Sequence, residues 1–172
     1  MTTMENCFFH IFIPMILSNI MHMVLVKRNA FSSLAVPVAA ELFGKNKTWR
    51  AFAIVPPLNA LFFWMVNTAN PLFGWMEALF YGFILGLTYL LFELPNSWLK
   101  RRMGIKAGEK AKKNAWLFML LDKMDSATGV SLLSKILFNL SWPETLKLFI
   151  AAVLIHVFFS WLLALIRLKK RF

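Results

Sequence analysis

Acid is what this chain has least of. Eight Asp and Glu stand against nineteen Lys and Arg in 172 residues, and only two of the eight are aspartates, Asp122 and Asp125. Cysteine is nearly missing as well. The single Cys7 excludes an internal disulfide framework and a cysteine-based zinc centre, and it is read as a small packed residue. Charge of either sign is sparse, at 16%, against 59% apolar residues and a mean hydropathy of +0.63, which is a membrane protein's composition. No polar linker divides the chain, so residues 1–172 are expected to form one domain. The net charge of +11 does not point to nucleic acid, because the basic residues flank apolar runs instead of lining a soluble face. Anionic headgroups and phosphates are the expected partners.

What is present is a set of long apolar runs. Cys7 to Val26 is twenty residues without a formal charge, closed by Lys27-Arg28, the length a bilayer core requires. Glu5 before the run and the basic pair after it argue against a cleaved signal peptide. Residues 29–50 are too broken for a span and too apolar for a free loop, and are expected to fold into the cytoplasmic interface. Ala51 to Val66 reads as a short second span, distorted at Pro56-Pro57, with a turn at Asn67 to Pro71. Leu72 to Leu94 forms a third span whose Gly82 and Gly86 permit close helix contact, read as internal packing with a dimer face as the alternative. That span is expected to end at Glu93-Leu94-Pro95-Asn96-Ser97, ahead of a basic loop with Lys100, Arg101, Arg102, Lys106, Lys110, Lys112 and Lys113. Trp116 to Leu140 is the fourth span, and after Ser141-Trp142-Pro143-Glu144 a fifth runs to about Ile166.

The sequence thus predicts an all-α protein with five transmembrane helices. Segments 27–50, 100–113 and 167–171 hold sixteen of the nineteen Lys and Arg, and all three fall on one side if the spans alternate. By the positive-inside rule that side is cytoplasmic, with the N-terminus outside and the C-terminus inside.

The fourth span is interrupted by Leu121-Asp122-Lys123-Met124-Asp125-Ser126. Carboxylates three residues apart share a helix face, close enough to share a divalent cation, and at membrane depth they are costly unless paired or wetted. They fall beneath the basic loop, and Glu93 approaches the same level from the third span. Carboxylates below a rim of cations suit a polyphosphate carried with Mg²⁺. The structural alternatives are that the aspartates neutralise Lys123, or that Asp122 caps a helix at the interface. His10, His22 and His156 are scattered over apolar spans and are read as packed. Gly44-Lys45-Asn46-Lys47-Thr48 lacks the glycine spacing of a P-loop. Neither Asn46-Lys47-Thr48 nor Asn139-Leu140-Ser141 is persuasive as a glycosylation site.

Gly44-Lys45-Asn46-Lys47-Thr48-Trp49-Arg50, Glu93-Leu94-Pro95-Asn96-Ser97 with Lys100-Arg101-Arg102 and Gly104, and Leu121 to Ser126, taken in that order, resemble the motifs of the CDP-archaeol synthase family. The resemblance runs from about residue 40 to 130. It implies transfer of CMP from CTP to a lipid phosphate with release of pyrophosphate. It further implies Mg²⁺ held by Asp122 and Asp125, with Lys100 as a catalytic group on the phosphate and headgroup edge; Glu93, from its level at the end of the third span, is the further candidate metal ligand. Lys47, Thr48 and Arg50 would close over the nucleotide, while Asn96, Ser97 and Arg101 would line the phosphate edge. Ala51 stands where the family commonly has glycine, and Phe31 to Ala40 matches poorly. The acceptor stays open between ether and acyl lipids, and the assembly between monomer and homodimer. A CDP-alcohol phosphotransferase is rejected, since its signature needs four aspartates and the chain has two. The other class to weigh is a non-enzymatic small transporter or anionic-lipid-binding subunit.

Overall fold

The computed structural model describes residues 3–109 and 115–165, leaving aside the side chains of residues 3, 4, 115 and 119. Lys110, Lys112, Lys113 and the basic cluster at 167–171 lie outside the described residues. Those described fold into α1 (Thr3–Lys27), the one-turn α2 (Ala40–Phe43), α3 (Trp49–Ala69), α4 (Trp75–Arg102), α5 (Ala115–Leu137) and α6 (Trp142–Leu165), with a 3-10 turn at Ser32–Leu34 and no strand among them. Four helices, α1, α3, α4 and α6, are long and apolar enough to cross a membrane, the make-up of a multi-pass membrane protein. Helix α5 has 23 residues and so is about 35 Å long, but Asp122, Lys123 and Asp125 take it out of the set that length and composition alone assign to spans.

Lipid tails are as apolar as leucine, so helices in a bilayer are held by close packing and interhelical hydrogen bonds. Both devices are present. A Cβ at Gly82 would lie 2.6 Å from Phe63 Cβ and 2.7 Å from Ala60 Cα, and one at Gly86 would lie 2.9 Å from Asn59 Cβ and 3.0 Å from Pro56 Cα. The glycine pair therefore seats α4 against α3, as internal packing. Asn59, fully buried, donates through Nδ2 to Gly82 O at 2.7 Å and accepts from Ser18 Oγ at 3.3 Å, tying α1, α3 and α4 together. At the far end Asn67 holds the turn into α4, accepting from Leu72 N and Phe73 N at 3.1 Å and donating to Phe73 O at 2.9 Å. Cys7, Ile11, Phe63, Leu85 and Leu148 form the centre of the core. The outward faces stay apolar, with Ile136 76% and Leu154 64% exposed, as a lipid-facing surface requires.

Several boundaries differ from the sequence reading. Helix α3 runs unbroken through Pro56 and Pro57 and on to Ala69. Helix α4 does not stop at Pro95 but continues to Arg102, because one missing N–H removes a single bond, to the carbonyl of Leu91, and the turns on either side remain helical. Glu93, Asn96 and Lys100 consequently lie three and four apart on one rigid face and not in a loop. Helix α5 begins at Ala115, seven residues before Asp122, so Asp122 is not a helix cap. The 29–48 segment folds back on itself. Val38 N donates to Lys47 O at 2.8 Å and Trp49 N to Val36 O at 2.9 Å, which closes a loop that carries α2 against α4.

Candidate functional site

Helices α4 and α5 meet antiparallel, and the meeting brings the sequence-predicted acids together. The pairs Lys100 with Asp122, Asn96 with Asp125, and Phe92 with Gly129 run in opposite directions along the two helices. Gly129 makes the approach possible, since any Cβ there would collide with the Phe92 ring.

At the centre Asn96 Nδ2 donates to Asp122 Oδ1 at 2.6 Å and to Asp125 Oδ2 at 3.0 Å. One amide thus bridges both carboxylates. Lys100 pairs with Asp122, and Lys47, brought in by the folded loop, pairs with Glu93. Burial works against the charge on Lys47, but the Glu93 carboxylate outweighs it and holds the ammonium above the usual lysine range. Arg101 lies under the same loop. Gly44, in a left-handed conformation at φ 85, sits over it, with a Cβ there 3.1 Å from Ala107 Cβ and 3.4 Å from Arg101 Nε. Arg101 Nε and Nη1 are buried with no hydrogen-bond partner among the described residues.

Other predicted residues are placed differently. Ser97 Oγ donates to Glu93 O at 2.9 Å and so serves its own helix. Thr48 occupies the position before α3 without capping it by its side chain. Arg50, though three residues from Lys47, is buried and sends Nη1 to Ala30 O at 3.3 Å, toward the end of α1. Lys123 is buried facing α6, its Nζ donating to Ser160 Oγ at 2.6 Å. Two residues near the site were not anticipated. The hydroxyl of Tyr89, one turn from Glu93, is directed at that carboxylate, and the His156 ring lies 6.2 Å from the Tyr89 ring and within electrostatic reach of Glu93. The available signal was that His156 and Ser160 stand four apart in the otherwise apolar stretch of α6 after Lys147, hence on one face.

Among the described residues no three His, Cys, Asp or Glu are grouped to hold a metal, so Glu93 does not complete a three-carboxylate set with the aspartates. A two-carboxylate site is a different matter. Two carboxylates converge on one amide nitrogen, and the other end of that amide, Asn96 Oδ1, is buried with no hydrogen-bond partner among the described residues. Rotated about its last bond, Asn96 would add a carbonyl oxygen to Asp122 and Asp125. An all-oxygen set that leaves room for water and phosphate oxygens is what Mg²⁺ takes, and the residues present fit it. The chain matches no family model, no curated protein and no solved structure.

Proposed function

We propose that this chain is a membrane-embedded cytidylyltransferase that moves CMP from CTP to a lipid phosphate, giving a CDP-lipid and pyrophosphate. The observation that supports this most is the convergence of Asp122 and Asp125 on Asn96, with Lys100 on one carboxylate and, under the neighbouring loop, Arg101 Nε and Nη1 without a partner among the described residues. Acids alone would suit a cation, and cations alone a headgroup. The two sets interleaved suit a metal-borne polyphosphate. In this reading α5 is a fifth span, since it runs antiparallel beside α4 over the same depth, and the positive-inside rule places the site at the cytoplasmic face.

The chemistry asks little covalent work of the protein. A lipid phosphate is already a nucleophile: its oxygen attacks the α-phosphorus of CTP, the bond from that phosphorus to the bridging oxygen breaks, and pyrophosphate leaves with the electron pair. No Ser, Cys or His intermediate is required. Mg²⁺, held by Asp122, Asp125 and the Asn96 carbonyl, would offset charge on the phosphoryl oxygens. Lys100, released from Asp122, and Arg101 would fix phosphate oxygens by charge-assisted hydrogen bonds, Lys47 would hold its loop over the nucleotide through Glu93, and the rigid α4 face would keep both anions in register.

Ligand-dependent stability tests the reading. At a hundredfold excess over Kd, CTP with Mg²⁺ should stabilise the protein by about 2.7 kcal/mol, a rise in Tm of about 5–10 °C. ATP should do markedly less. No shift, or an equal shift with both nucleotides, would favour the second reading, an ion or proton carrier. That alternative draws on the Lys47–Glu93 ion pair and on the absence of a three-ligand metal group among the described residues.

A further inference from the structure

A groove bounded mainly by α1, α5 and α6 borders the acidic site without being part of it. It opens on one side and is lined by apolar residues including Phe12, Ile16, Val130, Ile155 and Phe159. Helix α1 rests on α3 and α6 on α5, with little contact between α1 and α6 themselves, so the slot between those two is where the bundle is least closed.

The dimensions and polarity of the groove select an occupant. Its walls extend from Ile11 to Met23 on α1 and from Ala152 to Leu163 on α6, about 18 and 16 Å at 1.5 Å per residue. That is close to half of the ~30 Å hydrocarbon core, one leaflet's depth. The polar lining groups gather in the stretch toward Met23 and Leu163: Asn19 on α1, Tyr89 on α4, Ser126 Oγ, buried and lacking a well-formed hydrogen bond among the described residues, and His156 and Ser160 on α6. Lys123 Nζ reaches this stretch through its bond to Ser160, and Ser126 directly follows Asp125. A carbon chain of leaflet length with an anionic end beside a buried lysine meets both requirements.

We propose that this groove seats one hydrocarbon chain of a phosphate-bearing bilayer lipid, entering sideways between α1 and α6. Its polar end lies toward Lys123 and Ser160 and its tail toward Ile11 and Ala152. That this lipid is the acceptor rests on the reading above; the chain seat does not.

The test uses full-length protein in nanodiscs that contain phosphatidic acid carrying a photoactivatable diazirine on its acyl chain. After illumination, label in the unaltered protein should concentrate on groove residues such as Ile16, Ile155 and Phe159, in preference to the outward Leu154 and Phe158. Ala152→Trp, which fills the tail end, should cut groove labelling about tenfold, the loss expected when roughly two methylenes lose their burial. Leu154→Trp, on the outward face of the same helix, should leave it unchanged. Label spread evenly over the outward and groove faces of the unaltered protein would overturn the proposal, whether or not Ala152→Trp folds. So would undiminished groove labelling in folded Ala152→Trp. Neither readout needs CTP. Groove labelling without any pyrophosphate release would keep the seat and remove the transferase reading, whereas turnover with label spread evenly would do the reverse.

Discussion

Asn96→Leu removes the amide that bridges the two aspartates while nearly preserving side-chain volume. Two hydrogen bonds to charged acceptors are lost, at 2.6 and 3.0 Å, and the two carboxylates are left facing each other. A hydrogen bond to a charged group contributes about 1.5–3 kcal/mol. Because the Asp122 side chain is 44% exposed, its share falls toward the surface range, below about 1 kcal/mol. The net loss should be about 2–3 kcal/mol, or a fall in Tm of about 5–10 °C for a chain of this size. Cys7 provides the assay: it is the single cysteine and is fully buried, so a thiol-reactive dye reports unfolding of the bundle directly. Asp125→Asn added to Asn96→Leu should restore part of the loss, with a coupling of at least about 0.5 kcal/mol, because it removes the repulsion that the amide had screened. An unchanged Tm in Asn96→Leu, or strictly additive losses in the double variant, would refute the bridging role.

Gly86→Leu should prevent α4 from seating on α3, since even a Cβ there lies 2.9 Å from Asn59 Cβ and 3.0 Å from Pro56 Cα. The expected destabilisation is at least about 1–3 kcal/mol, visible as early dye labelling of Cys7, while Leu154→Ala on the lipid-facing side should be near neutral. Lys47→Met leaves Glu93 without its ammonium partner; with the side chains 25% and 20% exposed, the cost should be about 2 kcal/mol in denaturant titrations, partly recovered by Glu93→Gln. Since Glu93 raises the Lys47 pKa, the stability from this pair is fully present below the ordinary lysine value of about 10.4 and fades as pH climbs through the higher folded value. The stability gap between wild type and Lys47→Met should therefore be flat from about pH 6 to 9 and narrow only above that.

The apolar helices were legible because bilayer spans leave long uncharged runs, and Cys7 to Val26 is such a run within α1. The end of α4 was not. Pro95 reads as a stop, and only packing against α5 shows that the helix continues to Arg102 with Asn96 and Lys100 on its working face. The aspartate pair was legible from rarity and spacing. Its bridging amide was named only as part of a phosphate edge, since register between two helices is not written in either one. Arg50 and Arg101 look equivalent as basic residues, yet one turns to the end of α1 and the other lies under Gly44, a difference set by the loop that folds 29–48 back on itself. Tyr89 lies in an apolar stretch where a single polar residue carries no local signal, and His156 was marked only by Ser160 one turn on.

Pyrophosphate release measures the central claim most directly. Purified protein in detergent would be given CTP and Mg²⁺, with phosphatidic acid and an isoprenoid ether-lipid phosphate offered in parallel. The account predicts release with at least one lipid, none without lipid, and none from folded Asp122→Asn or Asp125→Asn. Silence with both lipids from folded wild-type protein, or full release from either aspartate variant, would contradict it.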